Sequence, residues 1–280
     1  MTMDILRLAA FPVDGRGGNP AGVVLDAREL TDARMQEIAR EVGYSETVFV
    51  VGQSNDRLHV KYFAPDQEID FCGHATIAAS VALGSQLGSG SFVFDTNAGP
   101  VDVHVTTTDD GIVAQLTSPA GHLEPRDDDL IDELLTIFGW THADLDAEFT
   151  PRIAFAGNKH PVIVLNSVET LQAMDYDFDA LAALSRVQRW PTVQLVAREA
   201  ASTWQSRNPF AFGGVYEDPA TGSAAAAFGV YLREVHKAAV GDTLVIRQGV
   251  AMGQPCLLTV TIGEHGCTVS GGAIPINSND

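Results

Sequence analysis

Cysteine is scarce in this chain of 280 residues: Cys72, Cys256 and Cys267 are odd in number and widely spaced. That excludes a disulfide framework and makes a reducing, cytoplasmic setting the expectation. Positive charge is scarce too, with 17 Lys and Arg against 36 Asp and Glu, a formal charge of −19. A surface so acidic lacks the basic face that nucleic acid or an anionic membrane requires of a partner, although one local positive pocket could still take an anion. No apolar run approaches ~20 residues, so no membrane span is expected. The segment Met1-Thr2-Met3-Asp4-Ile5-Leu6-Arg7-Leu8 has neither the basic region nor the apolar core of a signal peptide. The eight histidines show no His-x-x-x-His or His/Cys pair spacing for a metal. There is no Gly-x-x-x-x-Gly-Lys-Ser/Thr phosphate loop and no Gly-x-Ser-x-Gly elbow, and glycine-rich Gly84 to Gly90 lacks dinucleotide spacing and follows a helix. An enzyme working without metal or cofactor is the simplest expectation.

What is present is an ordinary soluble composition, 45% hydrophobic and 19% charged, long enough for one large core or two modest ones. Short β-like runs dominate. Leu58–Tyr62 and Val101–Val105 alternate as half-buried strands do, and Thr47–Val51, Ile112–Leu116, Val162–Leu165, Thr192–Ala197 and Cys256–Ile262 are further candidates. Thr31 can cap a helix with Met35, Ile38, Ala39 and Val42 on one face and Gly43 as its stop. Asp127–Phe138 places Leu130, Ile131, Leu134, Leu135 and Phe138 together behind an acidic first turn.

Two further helices are unlike these. Phe71-Cys72-Gly73-His74-Ala75-Thr76 runs into Ile77–Leu83, and Asp218-Pro219-Ala220-Thr221-Gly222-Ser223-Ala224 runs into Ala225–Leu232. Each is a polar, glycine-containing turn opening a helix, Thr76–Leu83 and Ser223–Leu232, that is apolar almost all round, so each helix must be enclosed by other structure. Such a start offers unpaired backbone N–H groups and the positive end of a dipole, a site for a carboxylate. Gly18-Asn19-Pro20-Ala21-Gly22-Val23-Val24-Leu25 also resembles Gly157 to Leu165, at an offset of 139, while the helix-opening turns lie 149 apart. Gly-Asn-Pro by itself marks an ordinary turn; two markers in the same order indicate a duplicated fold. The expected architecture is α+β, two similar halves, each a curved and mostly antiparallel sheet around a central helix, with a small anionic carboxylate bound in a cleft between them. The join is expected near Pro119–Asp128, giving halves at 1–122 and 123–280, the first able to take back the C-terminal tail.

Taken together, Gly18-Asn19-Pro20-Ala21-Gly22, Ser45-Glu46-Thr47, Phe71 to Thr76, Asn97-Ala98-Gly99 and Glu217 to Ala224 resemble the PhzF-like family. Gln248-Gly249 to Met252-Gly253 fits that family's last segment. The family is named for an isomerase of phenazine biosynthesis and shares the diaminopimelate epimerase fold. The resemblance implies a cofactor-independent isomerase of a small carboxylic or amino acid, expected as a homodimer. It makes Glu46 the proton shuttle, and a carboxyl between substrate and a low-dielectric wall has the raised pKa that suits the task. Without the resemblance, Glu46 reads as a solvated residue between helix and strand.

His74 matches a substrate-contacting histidine, and reads equally as a structural cap at a helix start. Asp218 matches the acidic residue that meets the substrate's amino or hydroxyl group, and reads equally as an N-terminal aspartate holding backbone N–H groups. His74 and Asp218 are thereby expected to assist Glu46 in catalysis, and Ser45, Cys72, Gly73, Gly222 and Ser223 complete the implied substrate-binding set, glycine allowing close approach of backbone to carboxylate. Cys72 stands where diaminopimelate epimerases and proline racemases carry one of two catalytic thiols, but their second thiol position is Thr221 here, which cannot act as a base near neutral pH. Cys72 therefore reads first as a small buried residue. A Cys72-dependent dehydratase or epimerase is the alternative enzyme, and a non-catalytic carboxylate-binding protein is the alternative outside enzymes.

Overall fold

The computed structural model describes residues 4–109 and 111–276; Met1, Thr2 and Met3 of the N-terminal segment lie outside the described residues. Contacts divide the chain into Met1–Thr117 with Ser270–Asp280, hereafter unit 1, and Ser118–Val269, unit 2.

In unit 1 the strands are β1 (Leu6–Ala10), β2 (Asn19–Val24), β3 (Glu46–Ser54), β4 (Arg57–Phe63), β5 (Glu68–Ile69), β6 (Gly90–Thr96), β7 (Gly99–Thr108) and β8 (Gly111–Thr117). Helix α1 (Asp32–Val42) joins β2 to its parallel neighbour β3, and α2 (Gly73–Leu87) joins β4 to its parallel neighbour β6. The other long pairings, β1 with β2, β3 with β4, β6 with β7 and β7 with β8, are antiparallel. Helix α2 packs on β1, β2, β3, β7 and β8, strands from both ends of that order, so the sheet curls around it. Its residues His74 to Gly84 are all buried. Each enclosed Ile, Val or Leu there contributes about 1.5–3 kcal/mol. Gly84 makes the close fit possible: a Cβ on it would stand 2.5 Å from Val105 Cγ1. On the sheet's other face Met35, Ile38, Ala39 and Val42 of α1 pack with Val24, Phe49 and Phe63.

Unit 2 contains β9 (His122–Leu123), α3 (Asp128–Ile137), β10 (Arg152–Phe155), β11 (Lys159–Leu165), α4 (Val168–Gln172), α5 (Phe178–Gln188) and β12 (Gln194–Arg198). It continues through β13 (Thr203–Arg207), β14 (Pro209–Phe210), β15 (Val215–Glu217), α6 (Gly222–Glu234), β16 (Thr243–Gln248) and β17 (Cys256–Ile262). Strand β18 (Cys267–Gly271) carries the chain out of it, and β19 (Ala273–Pro275) pairs antiparallel with β1 in unit 1. The pairing sequence repeats that of unit 1: β10 antiparallel to β11, β11 parallel to β12, β12 antiparallel to β13, β13 parallel to β16, β16 antiparallel to β17. Helix α6 fills the place of α2, touching β9, β10, β11, β12 and β17. The two Gly-Asn segments lie at β2 and β11, and the two polar turns open α2 and α6, so both sequence repeats fall on matching elements. This is the duplicated diaminopimelate epimerase-like fold.

Most expected elements stand where the sequence places them. Thr31 caps α1 by accepting from Arg34 N at 3.3 Å, and Gly43 ends it in the left-handed conformation at φ 74°. Asp127 caps α3. Three readings need correction. Helix α2 begins at Gly73 rather than Thr76, which puts His74 inside the helix, and it continues through Gly84 to Leu87. Helix α6 begins at Gly222 rather than Ser223 and runs to Glu234 rather than Leu232. Thr192 lies before β12, its carbonyl and hydroxyl engaged by the side chains of His160 and Asn208 instead of a strand ladder. Among the described residues no helix is long and apolar enough to cross a membrane.

Candidate functional site

In unit 1 the stop of α1 at Gly43 leaves only Tyr44 and Ser45 before Glu46, which opens β3 with small Ala21 opposite it on β2. The neighbouring helix start supplies the rest. His74 is the second residue of α2, and its Nε2 lies 3.3 Å from Glu46 Oε2, the two side chains 5% and 11% exposed. That contact has ion-pair distance without the alignment of a hydrogen bond, because Oε2 is buried with no well-formed partner. Cys72 occupies the N-cap, its thiol 3.3 Å from His74 Nδ1, and it gives the helix no side-chain cap. Ser45 Oγ stands 3.5 Å from His74 Nε2. Thr76 donates to the Cys72 carbonyl at 2.7 Å and receives the Tyr62 hydroxyl at 2.7 Å, which pins the turn from below.

Burial pushes the Glu46 carboxyl above the usual range, while hydrogen bonds from Ser45 and Cys72 pull it back without prevailing. A carboxyl so placed, with an imidazole beside it, can accept a proton from carbon and return one. The ligand atoms of Glu46, Cys72 and His74 also lie within 4.8 Å of one another, a sulfur, nitrogen and oxygen set of the kind zinc accepts. No spacing motif reveals that set, because Glu46 arrives on a different element.

In unit 2 the α6 turn is built differently. Thr221 donates its hydroxyl to Asp218 Oδ2 at 2.5 Å. Gln248 donates to the Asp218 carbonyl at 2.7 Å and accepts from Thr221 N at 3.2 Å. Asp218 thus holds the turn closed through a hydroxyl, and Thr221 is committed as a donor. A Cβ on Gly222 would meet nothing nearer than Val269 Cγ1 at 4.0 Å, so the space over the first turn is open. Ser223, second in α6, places its Oγ 3.0 Å from Nε2 of buried His160 on β11. Glu46, His74, Cys72 and Ser45 therefore converge around Gly73 in unit 1, and Asp218, Gly222 and Ser223 gather at the start of α6 in unit 2. Sequence reasoning gives no site role to His160, Thr192 or Gln248; the Gly157-to-Leu165 repeat contains His160 but gives no sign of its partner 63 residues away.

The phenazine biosynthesis-like protein family model, PhzC-PhzF, matches residues 8–278. An uncharacterized isomerase of Clostridium acetobutylicum is 31% identical over 272 residues, covering 92% of this chain and 89% of that protein. A trans-2,3-dihydro-3-hydroxyanthranilate isomerase of Pseudomonas chlororaphis is 31% identical over 253 residues, covering 89% and 86%. Among solved structures, a PhzF-family phenazine biosynthesis protein of Bacillus anthracis superposes with a TM-score of 0.85 at 24% identity, covering 98% of this chain and 97% of that one, a likeness of fold. With a match along nearly its whole length and relatives at this identity, the chain belongs to the PhzC-PhzF family of phenazine biosynthesis-like proteins.

Proposed function

We propose that this protein is an isomerase of the PhzF type that moves a proton between carbons of a small carboxylic acid, with Glu46 as the acid and base. The observation carrying this reading is the buried Glu46 carboxyl, raised in pKa by its surroundings and 3.3 Å from His74 at the start of α2. A carbon beside a carboxylate is weakly acidic, so the base needs an environment that favours taking the proton and a positive group to stabilise the enolate-like charge that develops. The N-terminus of α2 supplies about half a positive charge, and His74 orients the carboxyl. Named relatives act on trans-2,3-dihydro-3-hydroxyanthranilate, an unsaturated carboxylic acid and therefore one candidate substrate. A cytoplasmic homodimer is part of the same proposal, tested by sedimentation at twice the 29.8 kDa chain mass.

The experiment is turnover of trans-2,3-dihydro-3-hydroxyanthranilate, followed by absorbance and chromatography, in wild type, Glu46→Gln and Cys72→Ser. Loss of about 10²–10⁴-fold in kcat is expected for Glu46→Gln, the usual worth of a general acid or base. Cys72→Ser should stay within a few-fold of wild type. The 3.3 Å thiol–imidazole contact supports one second reading, a thiol-centred enzyme, for which the two variants would exchange places.

A further inference from the structure

The cluster at the start of α2 holds more ligand atoms than proton transfer needs. Thiol, imidazole and carboxyl arrive from two elements, Cys72 and His74 on the turn into α2 and Glu46 on β3, and their ligand atoms lie within 4.8 Å of one another. His74 Nε2 is 3.3 Å from Glu46 Oε2 and 3.9 Å from Cys72 Sγ. Zinc bonds of about 2.3 Å to sulfur and about 2.0–2.2 Å to nitrogen and oxygen, at tetrahedral angles, set ligand atoms about 3.3–3.7 Å apart. The three groups stand close to that spacing before any ion arrives. The sulfur is also 3.3 Å from Nδ1, so a small turn of the ring or the thiol is what seats the ion. Oε2 aims into the cluster, buried and without a hydrogen-bond partner, on a residue 9% exposed.

The chemistry of the set favours a soft divalent cation over a hard one. Thiolate and imidazole select zinc and cobalt, whereas magnesium and calcium need oxygen on most sides. Thiolate and carboxylate together cancel the charge of the ion. The N-terminus of α2 opposes a cation with about half a charge, but it also favours the thiolate that binds one. The formal charge of −19 draws divalent cations toward the protein. Ser45 is exposed and Gly73 half-buried beside the cluster, so solvent reaches it. Among the described residues no other histidine, cysteine and acidic side chains gather this closely in threes. At the matching turn of α6, the positions of Cys72 and His74 hold Thr221 and Ser223, whose side chains offer a metal only hydroxyls.

We propose that Glu46, Cys72 and His74 form a binding site for zinc, and that zinc seated there switches the enzyme off. The site stands on its geometry; the inhibition rests on the isomerase reading, in which Glu46 must offer a lone pair to a carbon-bound proton. A carboxylate bound to zinc has given that lone pair to the metal, and the imidazole that orients it is engaged as well. Binding takes the thiol as thiolate, with its proton released to solvent, and leaves the fourth position to water. No covalent bond of the protein changes, so withdrawing the ion returns the active enzyme.

The test has three arms on the intact, reduced protein. Co²⁺ added to wild type should give a sulfur-to-cobalt charge-transfer band in the near ultraviolet that saturates at one ion per chain. A missing band overturns the site, and so does a band that survives in Cys72→Ser, since Cys256 or Cys267 would then be the ligand. Zn²⁺ competed against a chromophoric chelator should bind wild type once, unmoved by excess Mg²⁺. Cys72→Ser and His74→Asn should each weaken it by more than the about 10–100-fold that loss of an outer-shell partner brings, while His142→Asn, at an exposed histidine–carboxylate pair, should leave it unchanged. Equal affinity in wild type and Cys72→Ser overturns the proposal. Zn²⁺ should then stop wild-type turnover with the midpoint of its binding curve, reversibly on adding EDTA, and Cys72→Ser, measured against its own zinc-free rate, should resist at that concentration. Tight binding with turnover undiminished or raised overturns the inhibition. Turnover that survives in Glu46→Gln sinks the isomerase reading instead, and the cobalt band still decides the metal site.

Discussion

Replacing Glu46 by glutamine should make the protein more stable, and increasingly so as the pH rises. The wild-type residue is 9% exposed and the folded-state pKa of its carboxyl lies above the reference value of 4.5, with burial as the largest cause. The folded chain therefore holds this proton more tightly than the unfolded chain does. The stability it contributes is complete below about pH 4.5 and drains away as pH rises toward the folded-state pKa, at up to about 1.4 kcal/mol per pH unit. Above that value the folded protein carries a buried charge and the loss levels off. Glutamine is neutral throughout and buries nearly the same volume. Below the window the two proteins should differ only by acid-for-amide hydrogen bonding at Ser45 and Cys72, about 1 kcal/mol. Urea unfolding of both proteins at half-unit steps from about pH 4 to pH 8, analysed as a difference, cancels the other carboxylates. The difference should climb in favour of Glu46→Gln and reach a plateau whose height reads the pKa shift. A flat difference, or one falling with pH, would mean that His74 and the helix terminus hold Glu46 ionised, and the raised-pKa argument would fail.

Other consequences are structural. Gly84→Ala gains up to about 1 kcal/mol of helix propensity but drives a methyl to 2.5 Å from Val105 Cγ1 and 2.9 Å from Ile112 Cγ2, so a net loss of about 1–2 kcal/mol is expected on urea unfolding. A stabilised Gly84→Ala would mean that the sheet yields around α2. Arg207 contacts both carboxylate oxygens of Glu217, with side chains 11% and 2% exposed, so Arg207→Met should strand a buried charge and lose about 3–5 kcal/mol. A loss below about 1 kcal/mol would show Glu217 finding other donors. Thr221→Val removes the hydroxyl held between Asp218 and Gln248 and should lower stability by about 1–3 kcal/mol, with a wild-type melting curve contradicting that role for the turn.

The parts of the fold legible in the sequence are those written in local chemistry. Thr31 and Gly43 bracket α1, Asp127 opens α3, and alternation at Leu58 to Tyr62 marks β4. The apolar girth of α2 and α6 indicates that each must be wrapped, and the two polar turns give the duplication. Elements whose pattern is blurred are harder to read. In β13, Trp204 and Ser206 face inward together, and a buried serine hides the alternation until Asn208 is seen to satisfy it. Helix α5 buries Leu181, Ala182, Leu184 and Ser185, a stripe too mixed in size and polarity to stand out. At the candidate site, Glu46 and His74 are each visible in a motif, but their contact depends on the parallel β2–β3 pairing. The His160–Ser223 contact is invisible locally, because its two residues lie 63 apart on β11 and α6.

Proton NMR in deuterium oxide tests the central claim most directly, using a panel of unsaturated and hydroxylated amino and carboxylic acids with wild type, Glu46→Gln and Cys72→Ser side by side. Deuterium should enter a carbon position with wild type and Cys72→Ser and stay out with Glu46→Gln. Exchange that survives in Glu46→Gln and disappears in Cys72→Ser would contradict the account and move the chemistry to the thiol.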